Sequence, residues 1–437
     1  MAVLKNTSQY EMQEILFPLK VHDLSQVFCG KLLSSGFFPP TFCIFCPMGV
    51  IVGNVLSGEK VLSIREHLRS IREILLANIV MAAEIPAPTG DEGNLTRFLS
   101  DRFTEFGLNN ISRDEAGNVA GVLAGSSGKR NLLVAAHVDK IWADSEDHTV
   151  SVGVGEMSGR GIADNALGVA VLATLPLMLE SLGVELESDL ILLGTTKSLG
   201  RGDLGGMRFF LENSDWEVAS ALCVEGIDLG RLSYSSLGMA RGEIVVTVPE
   251  DAETPDLAVA GAIPVLTEIM ERLLEMSRRD YPNTVIRTGT MEAGSGYNVP
   301  PRGGRIHFEI RSTGAGKVKR MEREITAMVE AVSSQPDVTA SVEMIAHRQP
   351  GNLGKRHPLA STAQRAMRAL DIEPTVEPSV SELAALLDQG IPALTLGITK
   401  GQHRHSPEET IQLDPIFDGL AQLVSVLLFM DTTDFTN

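Results

Sequence analysis

The sequence predicts an α/β fold in which one sheet carries helices on both faces and a separate α+β segment interrupts it. Three observations lead there. Short apolar runs alternate with helical patterns from about residue 117 to 224 and again beyond residue 351, the signature of a sheet covered on both sides. Leu132, Leu133, Val134, Ala135 and Ala136 form an unbroken apolar run, as suits a strand buried on both faces, and His137 and Asp139 follow at its carboxyl end. Between about residues 237 and 346 the order becomes strand, helix, strand, strand, helix, strand, which is that of a ferredoxin-like unit.

Length and charge set the limits. A chain of 437 residues exceeds one ordinary core and should divide into two or three domains. Its 56 acidic and 37 basic residues leave a net charge of -19, which disfavours nucleic acid and anionic membranes as partners. Cys29, Cys43, Cys46 and Cys223 are too few and too clustered for a disulfide framework, pointing to a reducing, cytoplasmic compartment. Cys43 and Cys46 have C-x-x-C spacing, a weak metal or redox signal with no second pair or histidine cluster nearby. Residues 1–60 lack a basic start followed by a clean apolar stretch, since Glu11, Glu14 and Asp23 intervene, and they read as an irregular extension. No run reaches about eighteen uninterrupted apolar residues, so no membrane-spanning helix is expected.

Taken in order, Val61, Ile64, Leu68, Ile71, Leu75 and Ile79 recur at helical spacing and predict one amphipathic helix. The loop Ile85-Pro86-Ala87-Pro88-Thr89-Gly90-Asp91-Glu92 ends it, with Thr89 as a candidate cap for a second helix through Leu95, Phe98, Leu99, Phe103 and Phe106. Strands are expected near 117–123 and 131–136, then a helix over 168–182, a strand over 190–196, a helix over 205–212 and a strand over 221–224. Strands over 242–248, 285–291, 304–310 and 338–345 with helices over 259–276 and 316–332 make up the interrupting segment. Helices over 360–370, 381–388 and 415–428 and a strand over 393–396 close the chain.

His137 and Asp139 lie two apart on an extended chain, so imidazole and carboxylate project to the same side, as a metal-ligating histidine and its supporting carboxylate do. Asp164 follows in the glycine-rich loop Gly159-Arg160-Gly161-Ile162-Ala163-Asp164-Asn165 and leads into an apolar helix.

With the segments Gly117-Asn118-Val119, Val224-Glu225-Gly226, Asn298-Val299-Pro300, Ile310-Arg311-Ser312, Gly390-Ile391-Pro392-Ala393 and His405-Ser406-Pro407-Glu408-Glu409 in the same order, residues 64–429 resemble a known superfamily. It is the dizinc metallopeptidase superfamily of aminoacylase, carboxypeptidase G, peptidase T and acetylornithine deacetylase. The resemblance implies a zinc-peptidase-like mixed sheet formed by residues 61–236 and 347–437, with residues 237–346 as an inserted lid domain that often makes a homodimer. It implies that His137 binds one zinc, Asp164 bridges two, Glu225 completes the first site and His405 holds the second. Asp139 would orient His137. Asn298 and Arg311 would hold substrate, Arg311 by a forked grip on a carboxylate. The implied reaction is hydrolysis of an amide bond in a small peptide or N-acyl amino acid by metal-activated water.

One departure bears on activity. The superfamily places two adjacent glutamates, a general base and a second-metal ligand, at the start of a run ending Gly-x-x-Gly. Gly202 and Gly205 align that run, so the pair falls on Leu199 and Gly200, which offer neither base nor ligand. Loss of a positioned general base removes roughly 10²- to 10⁴-fold in rate. The superfamily's lid histidine also has no counterpart in residues 249–255. Three readings stay open: a working hydrolase with one metal or with Asp203 or Glu156 recruited as base, a catalytically silent relative keeping the fold and a partial metal site, or a misaligned register. His403 and His148 read as surface residues, and Trp142 and Trp216 as packing residues. Arg311 has a plain alternative in pairing with a neighbouring carboxylate. Glu382 reads either as an acidic residue near the site or as a helix N-terminal charge.

Overall fold

The computed structural model describes residues 57–249, 261–279, 283–297, 299–314 and 316–435. Cys29, Cys43, Cys46, the extension over 1–56, Asn298 and most of residues 249–255 lie outside them.

The helix expected through residue 79 is two, α1 (Gly58–Leu68) and α2 (Arg72–Glu84), joined by a 3₁₀ turn at Arg69–Ile71. Ser70 Oγ donates to the His67 carbonyl at 2.8 Å at this break, a local bond that competes with the helical ladder. Val61, Ile64, Leu68, Ile71, Leu75 and Ile79 are all buried, so the apolar spacing marks the buried face although the helix is interrupted. Thr89 does not cap α3 (Gly93–Glu105); Glu92 stands at that position, and the Thr89 hydroxyl donates instead to Asp139.

The main sheet is β1 (Asn109–Arg113), β2 (Val119–Leu123), β6 (Asp189–Thr195), β3 (Asn131–His137), β7 (Val218–Ile227), β14 (Ala393–Thr399), β8 (Arg231–Ser233) and β13 (Thr375–Val376), in that spatial order. β3 runs parallel to both neighbours, and β7 parallel to β14. β1 escaped the sequence reading because it is a polar edge strand, paired through its backbone and largely exposed.

Alternate residues of β3 serve two cores, as a pleated strand requires. Leu132, Val134 and Ala136 pack with α2, α3, α4 (Leu167–Ser181), α8 (Pro358–Ala369) and α10 (Ile416–Thr432). Leu133 and Ala135 pack on the other face with α5 (Gly205–Asn213) and α9 (Leu383–Asp388). α4 is apolar all round because it is enclosed: the stretch Ile162–Ser181 has the length and composition to cross a membrane but is 94% buried within the protein.

Residues of the interrupting segment form a second sheet, β10 (Thr284–Ala293), β11 (Gly303–Ser312), β9 (Gly238–Thr247) and β12 (Thr339–Arg348), antiparallel throughout. α6 (Ala262–Arg278) and α7 (Lys317–Ser333) cover one face, where Ile244, Ile306, Phe308, Ile310, Leu273 and Ile325 make a separate core. The other face carries Arg241, Glu243, His307, Glu309 and Arg311. A third, small sheet joins β4 (Ser151–Val152), β5 (Glu156–Ser158), β16 (Thr410–Gln412) and β15 (Gly401–Gln402).

β7 passes against the turn before α4 at Gly226, where an added Cβ would stand 2.4 Å from the Ala163 carbonyl oxygen. Gly226→Ala should therefore cost about 1–3 kcal/mol by overpacking. Urea unfolding is the measurement, and an unchanged midpoint would contradict this close approach.

Candidate metal centre

Four segments meet beyond the carboxyl ends of the main-sheet strands. His137 ends β3, and Glu225 lies near the end of β7. Asp164 sits in the turn Ile162–Ala166, entered through Gly161 at φ +70, and its own backbone is non-helical at φ −137, ψ 87. The Asp164–Asn165 peptide is cis. His405 comes from the loop between β15 and β16.

Their geometry is that of a small polar cluster in an apolar frame. His137 Nε2 stands 2.9 Å from Asp164 Oδ1, and His405 Nε2 stands 2.7 Å from Asp164 Oδ2. Asp164 thus presents one oxygen to each histidine. One donor atom each of His137, Asp164 and Glu225 falls within a 4.8 Å span, the one such group of three among the described residues. His137, Asp164 and Glu225 are buried, while His405 is half exposed.

Three buried polar residues, Asp139, Glu409 and Asn165, hold the cluster in place. Asp139 Oδ2 accepts from the Thr89 hydroxyl at 2.8 Å, the Ser198 N–H at 3.0 Å and the Leu199 N–H at 2.8 Å. Its other oxygen has no hydrogen bond and lies 3.5 Å from His137 Nδ1, which is closer, at 3.1 Å, to the Asp139 carbonyl. Asp139 therefore meets the imidazole through backbone and side chain together. Glu409, fully buried, accepts from the Ala163 N–H at 3.0 Å and the His405 N–H at 2.9 Å, so it ties the Asp164 turn to the His405 loop. Asn165 donates to the Val224 carbonyl at 2.8 Å and accepts from Gly168 N–H, fixing the same turn to β7.

The charges follow from burial and contact. Burial opposes ionisation of Asp164, but the hydrogen bonds from His137 and His405 hold its carboxyl far below the usual range. Burial likewise opposes the His137 imidazolium, and the Asp139 and Asp164 carboxylates outweigh it and raise its proton affinity well above the ordinary value. His405 is raised by its bond to Asp164. Burial pushes the Glu225 carboxyl up, and the charge of Asp164 adds to it. A cation between Asp164 and Glu225 would relieve that repulsion, and one imidazole with two carboxylates is an oxygen and nitrogen donor set that suits zinc. The residues present fit a divalent metal.

Several residues were not legible as parts of the site. Glu409 and Asn165 stood inside recognised motifs without a role, because a carboxylate serving backbone N–H groups has no spacing signature. Lys140 is 1% exposed, and its ammonium donates to the carbonyls of Ala82, Ala83 and Ile85 at 2.7–2.9 Å, capping α2; burial pushes it down to about 7. Arg404 donates to Asp228 at 2.8 Å, and its charge is felt by Glu225 and Asp164. His148, read as a surface residue, is buried, with Nε2 3.0 Å from the Ala143 carbonyl, because the loop after β3 folds back over it. Trp216 packs on Phe210 with ring centres 5.9 Å apart, and Trp142 lies under the Arg160 guanidinium. Glu382 heads α9, is 2% exposed and accepts from the Thr195 hydroxyl at 3.3 Å, so it is both a helix-start charge and a neighbour of His137. Arg311 pairs with Glu309 on its own strand, and Asn298 lies outside the described residues. Cys223 is buried, which pushes its thiol up.

A doubly covered sheet with imidazole and carboxylates converging at its strand ends defines an α/β protein with a candidate metal centre. The chain belongs to peptidase family M20/M25/M40, whose sequence model matches residues 133–428. The dipeptidase Dug1p from Saccharomyces cerevisiae is 12% identical, with a TM-score of 0.71 over 86% of this chain and 100% of its own. A tripeptidase from Staphylococcus aureus is 16% identical, with a TM-score of 0.67 over 83% and 99%. The Bacillus subtilis YXEP protein, described as a dinuclear metal binding peptidase, is 15% identical, with a TM-score of 0.56 over 83% and 99%. At these identities the likeness is one of fold. A search of curated proteins found no match.

Metal uptake must displace the protons that Asp164 holds on His137 and His405. Because both imidazoles stay charged to higher pH than an ordinary histidine, apparent metal affinity should rise with pH from about 6 to 8, roughly tenfold per unit for each proton displaced. Zinc titration in buffers across that range measures it, and a flat profile would refute the assigned cluster.

Proposed function

We propose that this protein holds one divalent cation, zinc by its donor chemistry, on His137, Asp164 and Glu225, with Asp139 orienting His137 and His405 left at a weakened second position. The observation that carries this reading is at residue 199. Its N–H lies 2.8 Å from Asp139 Oδ2, which supports the register that aligns Leu199 and Gly200 with the family's paired glutamates. Neither residue bears a carboxylate, and among the described residues Asp164 and His405 are left as the protein donors at the second position.

A bound divalent cation supplies a Lewis acid and lowers the pKa of water near it. The chain's own residues do the rest. His137, Asp164 and Glu225 would hold the cation, and Arg311 with Asn298 would hold a small peptide or N-acyl amino acid. A substrate carboxylate must compete with Glu309 for Arg311, since the two side chains are paired. With no acceptor at residue 199, a water proton has no base at the family's position, which is worth roughly 10²- to 10⁴-fold. The inherited amide hydrolysis is therefore strongly slowed or silent, and the site serves for binding.

The reading with a recruited base is disfavoured. Asp203 is occupied by Arg348 at 2.8 Å and Arg208 at 3.3 Å, and Glu156 is exposed on β5.

Residues 237–346 are proposed as a lid domain through which the chain forms a homodimer, with support from the exposed Ile263 and Leu274 on α6 and Val285 and Met291 on β10. Sedimentation showing a monomer at micromolar concentration would overturn that part. A reducing, cytoplasmic setting is proposed on cysteine usage.

Leu199→Glu with Gly200→Glu tests the main reading. A Cβ at Gly200 meets nothing within 4 Å, so the side chain has room, although φ +50 adds strain of about 1 kcal/mol. The pair should raise metal content from one toward two per chain by elemental analysis and increase product release from dipeptides or N-acyl amino acids. Unchanged content, or two tightly held metals in the unaltered protein, would refute the weakened second position; fast metal-dependent hydrolysis by the unaltered protein would refute silence.

A further inference from the structure

The loop between β6 and α5 lacks the paired carboxylates yet is held with unusual care. Lys197, Asp203 and Leu204 take left-handed backbone angles, φ +53, +49 and +59, which non-glycine residues keep only where their surroundings impose them. Gly202 is required by contact, since a Cβ there would stand 2.3 Å from the Lys197 carbonyl oxygen.

The surroundings act from two sides. Toward the main sheet, Lys197 N–H donates to Glu92 at 2.9 Å, and Ser198 and Leu199 N–H groups grip Asp139, which in turn meets His137. Toward the second sheet, Arg201 reaches Glu243 on β9 at 3.2 Å and Glu343 on β12 at 3.4 Å. Arg241 on β9 donates to the Gly200 carbonyl while its other nitrogens bind Glu309 at 2.6 and 2.9 Å. Arg348, at the end of β12 and 3% exposed, donates to Asp203 at 2.8 Å and to the Val380 carbonyl. Gly200, Arg201 and Asp203 of one loop are thus each tied to the second sheet through an arginine, Arg201 being the loop's own, and the residues just before them, Ser198 and Leu199, hold the carboxylate beside the candidate metal ligand.

We propose that this loop is a strut: anchored to the second sheet by Arg201, Arg241 and Arg348, it positions Asp139 and, through it, His137, so that metal affinity depends on residues that touch no metal. The inference rests on the metal-centre reading. These arginines are positioning residues, and the loop keeps its shape for this work even without catalytic side chains. Supporting contacts of this kind typically change metal affinity by about 10- to 100-fold.

The test uses the full chain carrying Arg201→Ala with Arg241→Ala, since Arg348 is buried and its loss endangers folding. Arg305→Ala is the control, because Arg305 pairs with the same Glu243 at 3.4 Å and with Glu292 but makes no bond to the loop. Zinc affinity by competition with a chromophoric chelator should fall roughly tenfold or more in the double variant and stay unchanged in the control. Hydrogen exchange at the Ser198 and Leu199 amides should speed up in the double variant alone, with or without metal. Arg201→Lys with Arg241→Lys should recover part of both effects. Equal losses in double variant and control, or unchanged exchange at residues 198 and 199, would overturn the strut. Absence of metal binding by the unaltered protein would sink the metal-centre reading, and exchange would still decide the strut.

Discussion

Burying carboxylates at the ends of apolar strands is costly unless each finds donors or a cation, and this molecule is built around meeting that demand. Asp139 is enclosed and takes three donors onto one oxygen, from the loop before α3 and from the loop after β6. Asp164 divides its oxygens between two histidines, and Glu409 between two backbone N–H groups. Glu225 is pushed up by burial and by the charge of Asp164, more than Arg231, His137 and Arg404 offset, which is what makes the cluster a place for a cation.

The surrounding framework explains how such precision is reached with short, irregular segments. β3, β6, β7 and β14 are buried almost throughout, so their carboxyl ends are fixed reference points. Gly226 and Asn165 then bring the Asp164 turn against β7, one by having no side chain and the other by bonding to it. The loop after β6 gains its order differently, from ion pairs with a second sheet. Arg201 is largely exposed, and pairs of that kind are individually worth only about 0–1 kcal/mol. Arg348–Asp203, nearly buried, carries more of the burden. The second sheet is therefore energetically tied to the candidate metal centre through backbone amides, with no side chain of its own in the cluster.

On the proposed reading the chain keeps the binding half of its family's machinery without the proton-transfer half. His137, Asp164, Glu225 and His405 converge, while Leu199 and Gly200 supply only backbone. Such a cluster gains from a cation with or without a base, because relief of buried charge is independent of turnover. That independence lets the fold and the donor set persist apart from catalysis.

Much of this was legible in the sequence for physical reasons. Apolar runs of strand length mark buried strands, helical spacing marks the faces of α1, α2 and α3, and the order of elements over residues 237–346 matches the second sheet and its two helices. His137 and Asp139 at a strand end, with Asp164, Glu225 and His405 in order, announced a cluster that the structure brings together. Edge strand β1, the break at Ser70, Thr89 serving Asp139 in place of capping α3, the burial of His148 and the roles of Glu409, Asn165 and Lys140 were decided only in three dimensions. Each depends on a backbone amide or carbonyl from a distant segment, and backbone groups are alike at every position in a sequence; only tertiary structure says which of them a side chain will meet.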